Sequence, residues 1–159
     1  MDVVSNSTPL IALAKIQKLN LLKHFFGTVS IPQEVYDEVV TRGGPLYGAD
    51  EVSQASWIRV VSVENRTAVD ALSLNLDRGE AEAIVLAREI GALLIIDDRD
   101  GRNAAASLGV PITGTIGVLL LAAEDGMITF GDELDALVAA GFRLSEREYR
   151  RILDLAGKR

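Results

Sequence analysis

Cysteine is absent from the 159-residue chain, and histidine occurs once, at His24. The first absence excludes a disulfide framework and any thiolate metal site, and the second excludes a zinc centre built on histidines. A metal ion in this protein must be held mainly by oxygen. Aromatic residues make up only 5% of the chain, and none interleaves with basic residues as a stacking platform, so base-specific reading of a nucleic acid is not legible in it. The longest apolar runs, such as residues 118–123, fall far below the roughly 18 residues a membrane span needs. No basic-then-apolar leader follows Met1-Asp2, which sets the expectation of a cytoplasmic protein without membrane contact.

What is present is a composition with 48% hydrophobic and 25% charged residues, enough for one globular domain over residues 1–159 with a substantial core. The net charge of −7 disfavours general binding to a polyanion, but it is unevenly spread. Residues 141–159 carry Arg143, Arg147, Arg150, Arg151, Lys158 and Arg159 against Glu146, Glu148 and Asp154, a local +3 that leaves −10 on residues 1–140. Either a carboxylate-lined pocket that binds divalent cations or an ordinary solvated acidic surface accounts for that excess.

Strands and helices alternate along the chain. Val3-Val4 reads as a first strand, and Thr8-Pro9 as the cap and first residue of a helix to Lys15. A second helix from Leu19 stops at Gly27; the β-branched stretch 28–31 follows, and Pro32 opens a helix bearing Glu34, Asp37 and Glu38. After an Arg42-Gly43-Gly44-Pro45 turn come a polar helical segment, a strand over 57–63 and a helix ending near Leu76. Asp77-Arg78-Gly79-Glu80 has capping-box spacing and starts a helix to Ile90. A strand over 93–96, a helix beginning near Gly101, a short strand at 111–113 and a helix from Thr115 to about Glu124 complete the alternation. Ser145 and Glu148 start a C-terminal helical segment over 145–156, with Tyr149, Ile152, Leu153 and Leu155 as its apolar residues. This order predicts a three-layer α/β/α sandwich around a mainly parallel central sheet.

Ligands of such sheets bind at the carboxyl ends of the strands. The run Leu93-Leu94-Ile95-Ile96 ends there in Asp97, Asp98 and Asp100. Asn6 follows the first strand, Glu38 the second, and Glu80 and Glu82 lie in the first turns of a helix. These separate segments offer oxygen ligands suited to one or two Mg²⁺ or Mn²⁺ ions, which activate water and stabilise a phosphodiester transition state. Arg99 and Arg102, just after the acidic turn, are placed either to hold flanking phosphates or to pair with the same acids.

Five segments in this order, Val3-Val4-Ser5-Asn6-Ser7-Thr8-Pro9-Leu10-Ile11, Ile31-Pro32-Gln33-Glu34-Val35-Tyr36-Asp37-Glu38, Gly79-Glu80-Ala81-Glu82-Ala83, Ile96-Asp97-Asp98-Arg99 and Gly114-Thr115-Ile116-Gly117, resemble the PIN-domain ribonucleases, in particular a VapC-like branch. The resemblance covers nearly the whole chain. It implies a PIN-like sandwich, an acidic Mg²⁺ or Mn²⁺ site, metal-dependent cleavage of RNA, and the role of a toxin held by a cognate antitoxin, with a homo-oligomer, a dimer, expected. Carried over residue by residue, it makes Glu38, Glu80 and Asp98 catalytic and metal-binding, with Asn6 where the family has its first aspartate. Asn6 offers a carbonyl oxygen but no formal charge, and a unit charge at 4 Å is worth roughly 4 kcal/mol at an effective dielectric of 20. Asp97 ranks above Glu82 as a supplementary ligand, because Glu82, two residues from Glu80, points to another part of the helix surface.

Each residue also has a structural reading. Glu80 can serve only its capping box, Asn6 can brace the turn after the first strand, Glu38 can sit on an exposed helix face, and Asp98 can cap the next helix. His24, near a helix end, complements the helix dipole. The C-terminal helix either docks a partner or packs on its own domain. Two other functions stay open: a catalytically weak or inactive PIN-like module that binds RNA or a protein, and a phosphatase using Asp98-Arg99-Asp100.

Overall fold

A computed structural model describes residues 2–43 and 47–157. Gly44 and Pro45 of the expected turn, and Lys158 and Arg159 of the basic segment, lie outside the described residues. The strands are β1 (Val3–Ser5), β2 (Val29–Pro32), β3 (Ile58–Val61), β4 (Leu93–Ile95) and β5 (Ile112–Thr113). They form one parallel sheet in the order β3-β2-β1-β4-β5. The chain steps outward from β1 through β2 to β3, then crosses back to place β4 on the other side of β1. The strand order therefore reverses between β1 and β4, where an open α/β sheet leaves a crevice at its carboxyl edge.

Alternation along the strands divides the core. Val3 and Ile95 face one apolar cluster with Leu10, Leu13, Ile31, Leu119 and Leu134, while Val4, Leu94 and Ile96 face the other with Ile84, Leu86 and Ala105. The first layer is built mainly from α1 (Ser7–Lys15), α2 (Asn20–Phe26), α8 (Thr115–Glu124) and α9 (Phe130–Ala139), and the second from α5 (Arg66–Leu72), α6 (Arg78–Ile90) and α7 (Arg99–Ser107). Between β2 and β3 lie α3 (Gln33–Tyr36), a π-helical turn (Asp37–Thr41) and α4 (Ala49–Gln54). The last helix is α10 (Glu146–Gly157).

Several local expectations change. Helix α1 starts at Ser7 with Asn6 as its N-cap residue, which moves Pro9 to the third helical position. Proline is tolerated there because the first four N–H groups of a helix have no partner within it. The single helix expected after Pro32 becomes α3 plus the π turn that carries Glu38. Helix α9 was not among the expected elements, although Phe130, Leu134 and Leu137 repeat at helical spacing and are buried. In α10 the stripe on the core is Tyr149, Ile152, Leu153 and Ala156; Leu155 stands 51% exposed, because it lies off the 149/152/153/156 face. That helix packs on its own domain, as the simpler reading had it.

Candidate active site

Because every strand runs the same way, the residues after β1, β2 and β4 reach one edge of the sheet, and these three strands are neighbours. The amino end of α6 arrives at that edge too, packed on α3, β1 and β2. Asn6, Glu38, Glu80, Asp97 and Asp98 are all brought to this end of the molecule.

Glu80 enters through the reciprocal capping box of α6. Its backbone N–H donates to Asp77 Oδ1 at 2.8 Å, and its Oε1 accepts from the Asp77 N–H at 3.2 Å. Residues Gly79 to Ala87 of α6 are buried without a break, so the box holds a carboxylate inside the protein. Burial first, then the negative charges of Asp77 and Asp98, push Glu80 from the usual 4.5 up to about 7.

Glu38 comes from the other side. The π turn presents it toward α6, where a Cβ added at Gly79 would lie 1.8 Å from Glu38 Oε1. Only glycine leaves room for that oxygen. Burial, followed by the charges of Asp77 and Glu34, raises Glu38 from 4.5 to about 7, against the pull of Arg42 and the Ser7 hydroxyl. Glu38 Oε1 and Ser7 Oγ are sealed from solvent, and neither makes a hydrogen bond of normal geometry. Arg42 is itself tied to Glu34 by a 2.6 Å ion pair, which fixes the turn on both sides of Glu38.

Asp98 caps α7, accepting the Gly101 N–H at 2.9 Å through Oδ2. The capping reading and proximity to Glu80 are therefore both realised in one side chain. Asp97 has a structural task as well. Its two oxygens accept the Thr115 N–H at 2.8 Å and the Thr115 hydroxyl at 2.7 Å, so it ties the end of β4 to the first turn of α8. Burial raises its pKa, while Thr115 and Arg102 oppose the rise. The expected Thr115 cap is replaced by this bond from a residue eighteen positions earlier. Asn6 is 4% exposed and makes no side-chain capping bond, so the turn-bracing reading does not hold for it.

Glu82 stands outside the acid group. It accepts from Arg66 Nη2 at 2.9 Å, lies 3.7 Å from Arg78 Nε, and accepts the Glu34 N–H at 3.2 Å. Arg102 Nη1 donates to the Ile96 carbonyl at 2.9 Å, bracing the β4–α7 turn, whereas Arg99 is exposed. Asp100 lies exposed in the first turn of α7. His24 sits in the last turn of α2, 4.0 Å from Asp125.

The reading of the sequence missed Asp77, the one charge that acts on both Glu38 and Glu80. It treated Asp77 as a cap alone. Ser7 and the close approach of Gly79 were missed as well; the Gly79-Glu80 pair was visible, but nothing local to it names Glu38 as the neighbour.

A protein-family model described as a PIN domain matches residues 2–158. The chain belongs to the PIN-domain family. Comparison with curated proteins finds no match. A PIN domain is a nuclease-type fold and implies a nucleic-acid substrate. In this PIN domain no helix among the described residues is long and apolar enough to cross a membrane.

The donor set can be tested against the divalent ion such a nuclease uses. No group of three or more acidic or histidine side chains among the described residues is close enough to form a ready-made cage. Mg²⁺ rarely needs one, since it keeps several waters and takes one or two carboxylates together with substrate phosphate. A buried and a half-buried glutamate, each raised by desolvation and by the charge of Asp77, and an orphaned carboxylate oxygen fit that requirement.

Proposed function

We propose that this PIN domain, residues 1–159 acting as one unit, is a metal-dependent endoribonuclease and the toxin of a VapC-like toxin–antitoxin pair in the cytoplasm. The observation that carries the reading is the pair Glu38 and Glu80, both desolvated, both under the charge of Asp77, and neither in an ion pair among the described residues. Buried carboxylates without a counter-charge are costly, and a divalent cation removes the cost. Glu38, Glu80 and Asp98 would hold Mg²⁺ or Mn²⁺, with the Asn6 carbonyl oxygen completing the shell. When bound, the ions supply an acidified water and neutralise charge developing on the phosphate. Asp97 contributes by fixing the β4–α7 turn from which Asp98 projects. Asp77 keeps Glu80 in place through the capping box and adds to the local negative potential. Arg99 and Arg102 lie where the flanking phosphates would run. An antitoxin and a second copy of the chain are the proposed protein partners.

Calorimetry with Mn²⁺ and Mg²⁺, followed by RNA cleavage, tests this on wild type and Asp98→Asn. Asparagine retains the N-cap, so the fold should survive. Metal binding and cleavage are expected to be lost together; undiminished cleavage in the variant rejects the assignment. The neutral Asn6 and the absence of a preformed cage among the described residues favour a second reading, a PIN module that binds RNA or protein without cutting. It predicts no metal uptake by folded wild type even when RNA is present.

A further inference from the structure

A cleft of about 630 Å³ opens at the end of the molecule opposite the acids. Trp57 marks the place: it directly precedes β3, and its carbonyl accepts the Val29 N–H at 3.0 Å, so it lies at the amino edge of the sheet. Helix α1 runs back from the acid site and ends beside this cleft, and α2 and α4 supply the other walls. A tryptophan and a tyrosine both line it, in a chain with only 5% aromatic residues. Trp57 is half-buried against the first core cluster, whereas Tyr47 stands 62% exposed. Among the described residues their rings do not touch each other, which leaves space between them for a flat ring.

Gln17 is the stronger sign. It is the one non-glycine among the described residues with a positive φ, at 60°. Its N–H donates to the Ala14 carbonyl at 3.0 Å and the Lys18 N–H to the Leu13 carbonyl at 2.8 Å, which closes a Schellman motif at the end of α1. Glycine normally completes that motif, because a Cβ is strained in the left-handed region. The turn therefore gains nothing from glutamine, whose exposed side chain stands at the cleft together with that of Gln54. Strain kept where the fold does not require it points to a binding role for the side chain.

The chemistry of the walls narrows the ligand. A glutamine amide donates and accepts at once, and so matches the N6 amine and N7 of adenine. Lys23 lines the same cleft and, among the described residues, has no carboxylate within ion-pair distance, which leaves its ammonium free for a phosphate. Glu51 accepts the Gly48 N–H through Oε2 at 3.2 Å, leaving Oε1 for a ribose hydroxyl. We propose that this cleft binds an adenine nucleotide, with the base between Tyr47 and Trp57, its amine edge on the Gln17 and Gln54 amides, and its phosphate on Lys23. A neutral sugar lacks the anion that Lys23 would meet, and an apolar ligand leaves both amides unanswered. Placed at the opposite edge of the sheet, the cleft binds its ligand whether or not the acids cut RNA.

Trp57 is the one tryptophan of the chain, so its fluorescence reports on the cleft directly. Titration of the full chain with AMP in EDTA, which keeps metal off the acids, should quench it saturably with a Kd below about 1 mM. UMP should bind severalfold more weakly, and ribose 5-phosphate should leave the signal unchanged. Gln17→Gly relieves the strained turn, so it should preserve or raise the thermal midpoint while weakening AMP about tenfold. Tyr47→Ala, an exposed change, should weaken AMP by about tenfold or more. Lys23→Gln should weaken AMP severalfold and leave adenosine unaffected. Asp98→Asn should bind AMP as the wild type does. Absence of saturable quenching in the wild type overturns the proposal, as does wild-type affinity in the Gln17 and Tyr47 variants or an equal response to ribose 5-phosphate. Loss of AMP in Asp98→Asn also overturns it, by seating the nucleotide among the acids.

Discussion

Glu80 and Glu82 stand two positions apart on α6 and are almost equally buried, at 8% and 5% exposure, yet the fold treats their charges in opposite ways. Glu82 meets Arg66, Arg78 and the Glu34 N–H, which join α6 to α5 and α3. Glu80 meets one backbone N–H and faces Asp77 and Asp98. Burial alone therefore does not mark a functional carboxylate. On the proposed reading the absence of a counter-charge is what sets Glu80 apart, because an unpaired buried charge persists only where something outside the fold compensates it.

The sharpest way to break this comparison is to neutralise each member in turn. Glu80→Gln keeps the capping box, so it should lose about 10²-fold in metal-dependent cleavage while raising the thermal midpoint of the metal-free protein at pH 8. An unchanged rate would show that the unpaired acid is idle. Glu82→Ala should do the opposite, costing about 2 kcal/mol in urea unfolding by stranding the Glu34 N–H and two arginines, with metal affinity preserved. The arginine heads are half exposed and rehydrate, which keeps that cost below the value for a fully buried pair.

Smaller effects sharpen the picture. Gly79→Ala should displace the Glu38 carboxylate, the flexible end of a side chain, and weaken Mn²⁺ binding about tenfold in calorimetry, or ~1.4 kcal/mol, with little change in fold. Asn6→Asp adds a charge where the resemblance implies an aspartate and should tighten Mn²⁺ by a comparable factor; looser binding would mean that the crevice between β1 and β4 is not the metal site.

A last expected effect is the pH dependence of stability. Glu38 and Glu80 have folded pKa values near 7 against the usual 4.5, so between those values the folded state binds more protons than the unfolded one. Stability of the metal-free protein must then fall as pH rises from about 5 to 8, the reverse of a salt-bridged carboxylate. Saturating Mn²⁺ should abolish that fall. A midpoint in EDTA that rises over the same range would contradict the unpaired-acid account.

How much of this was legible beforehand follows from the range of each interaction. Both capping boxes, at Asp77/Glu80 and Ser145/Glu148, were readable because their partners lie three residues apart. The π turn at Asp37–Thr41 was not, since its hydrogen-bond shift leaves no compositional signature in a segment that otherwise reads as helix. Glu82 was separable from Glu80 by helical geometry, but its arginine partners were not, because Arg66 comes from another helix. Asp97 looked like a ligand from its place after a strand; only the packing of α8 against that strand end shows that Thr115 engages both oxygens.

Alternating apolar periods, glycine and proline punctuation and the acids after Ile96 thus determined the α/β sandwich and the edge of the sheet where chemistry gathers, because these are short-range consequences of backbone geometry and strand direction. The tertiary structure alone decided which acids lack partners and that Asp77 acts on two glutamates at once. Those outcomes depend on through-space distances between segments far apart in sequence, and charge acts through space irrespective of the chain between.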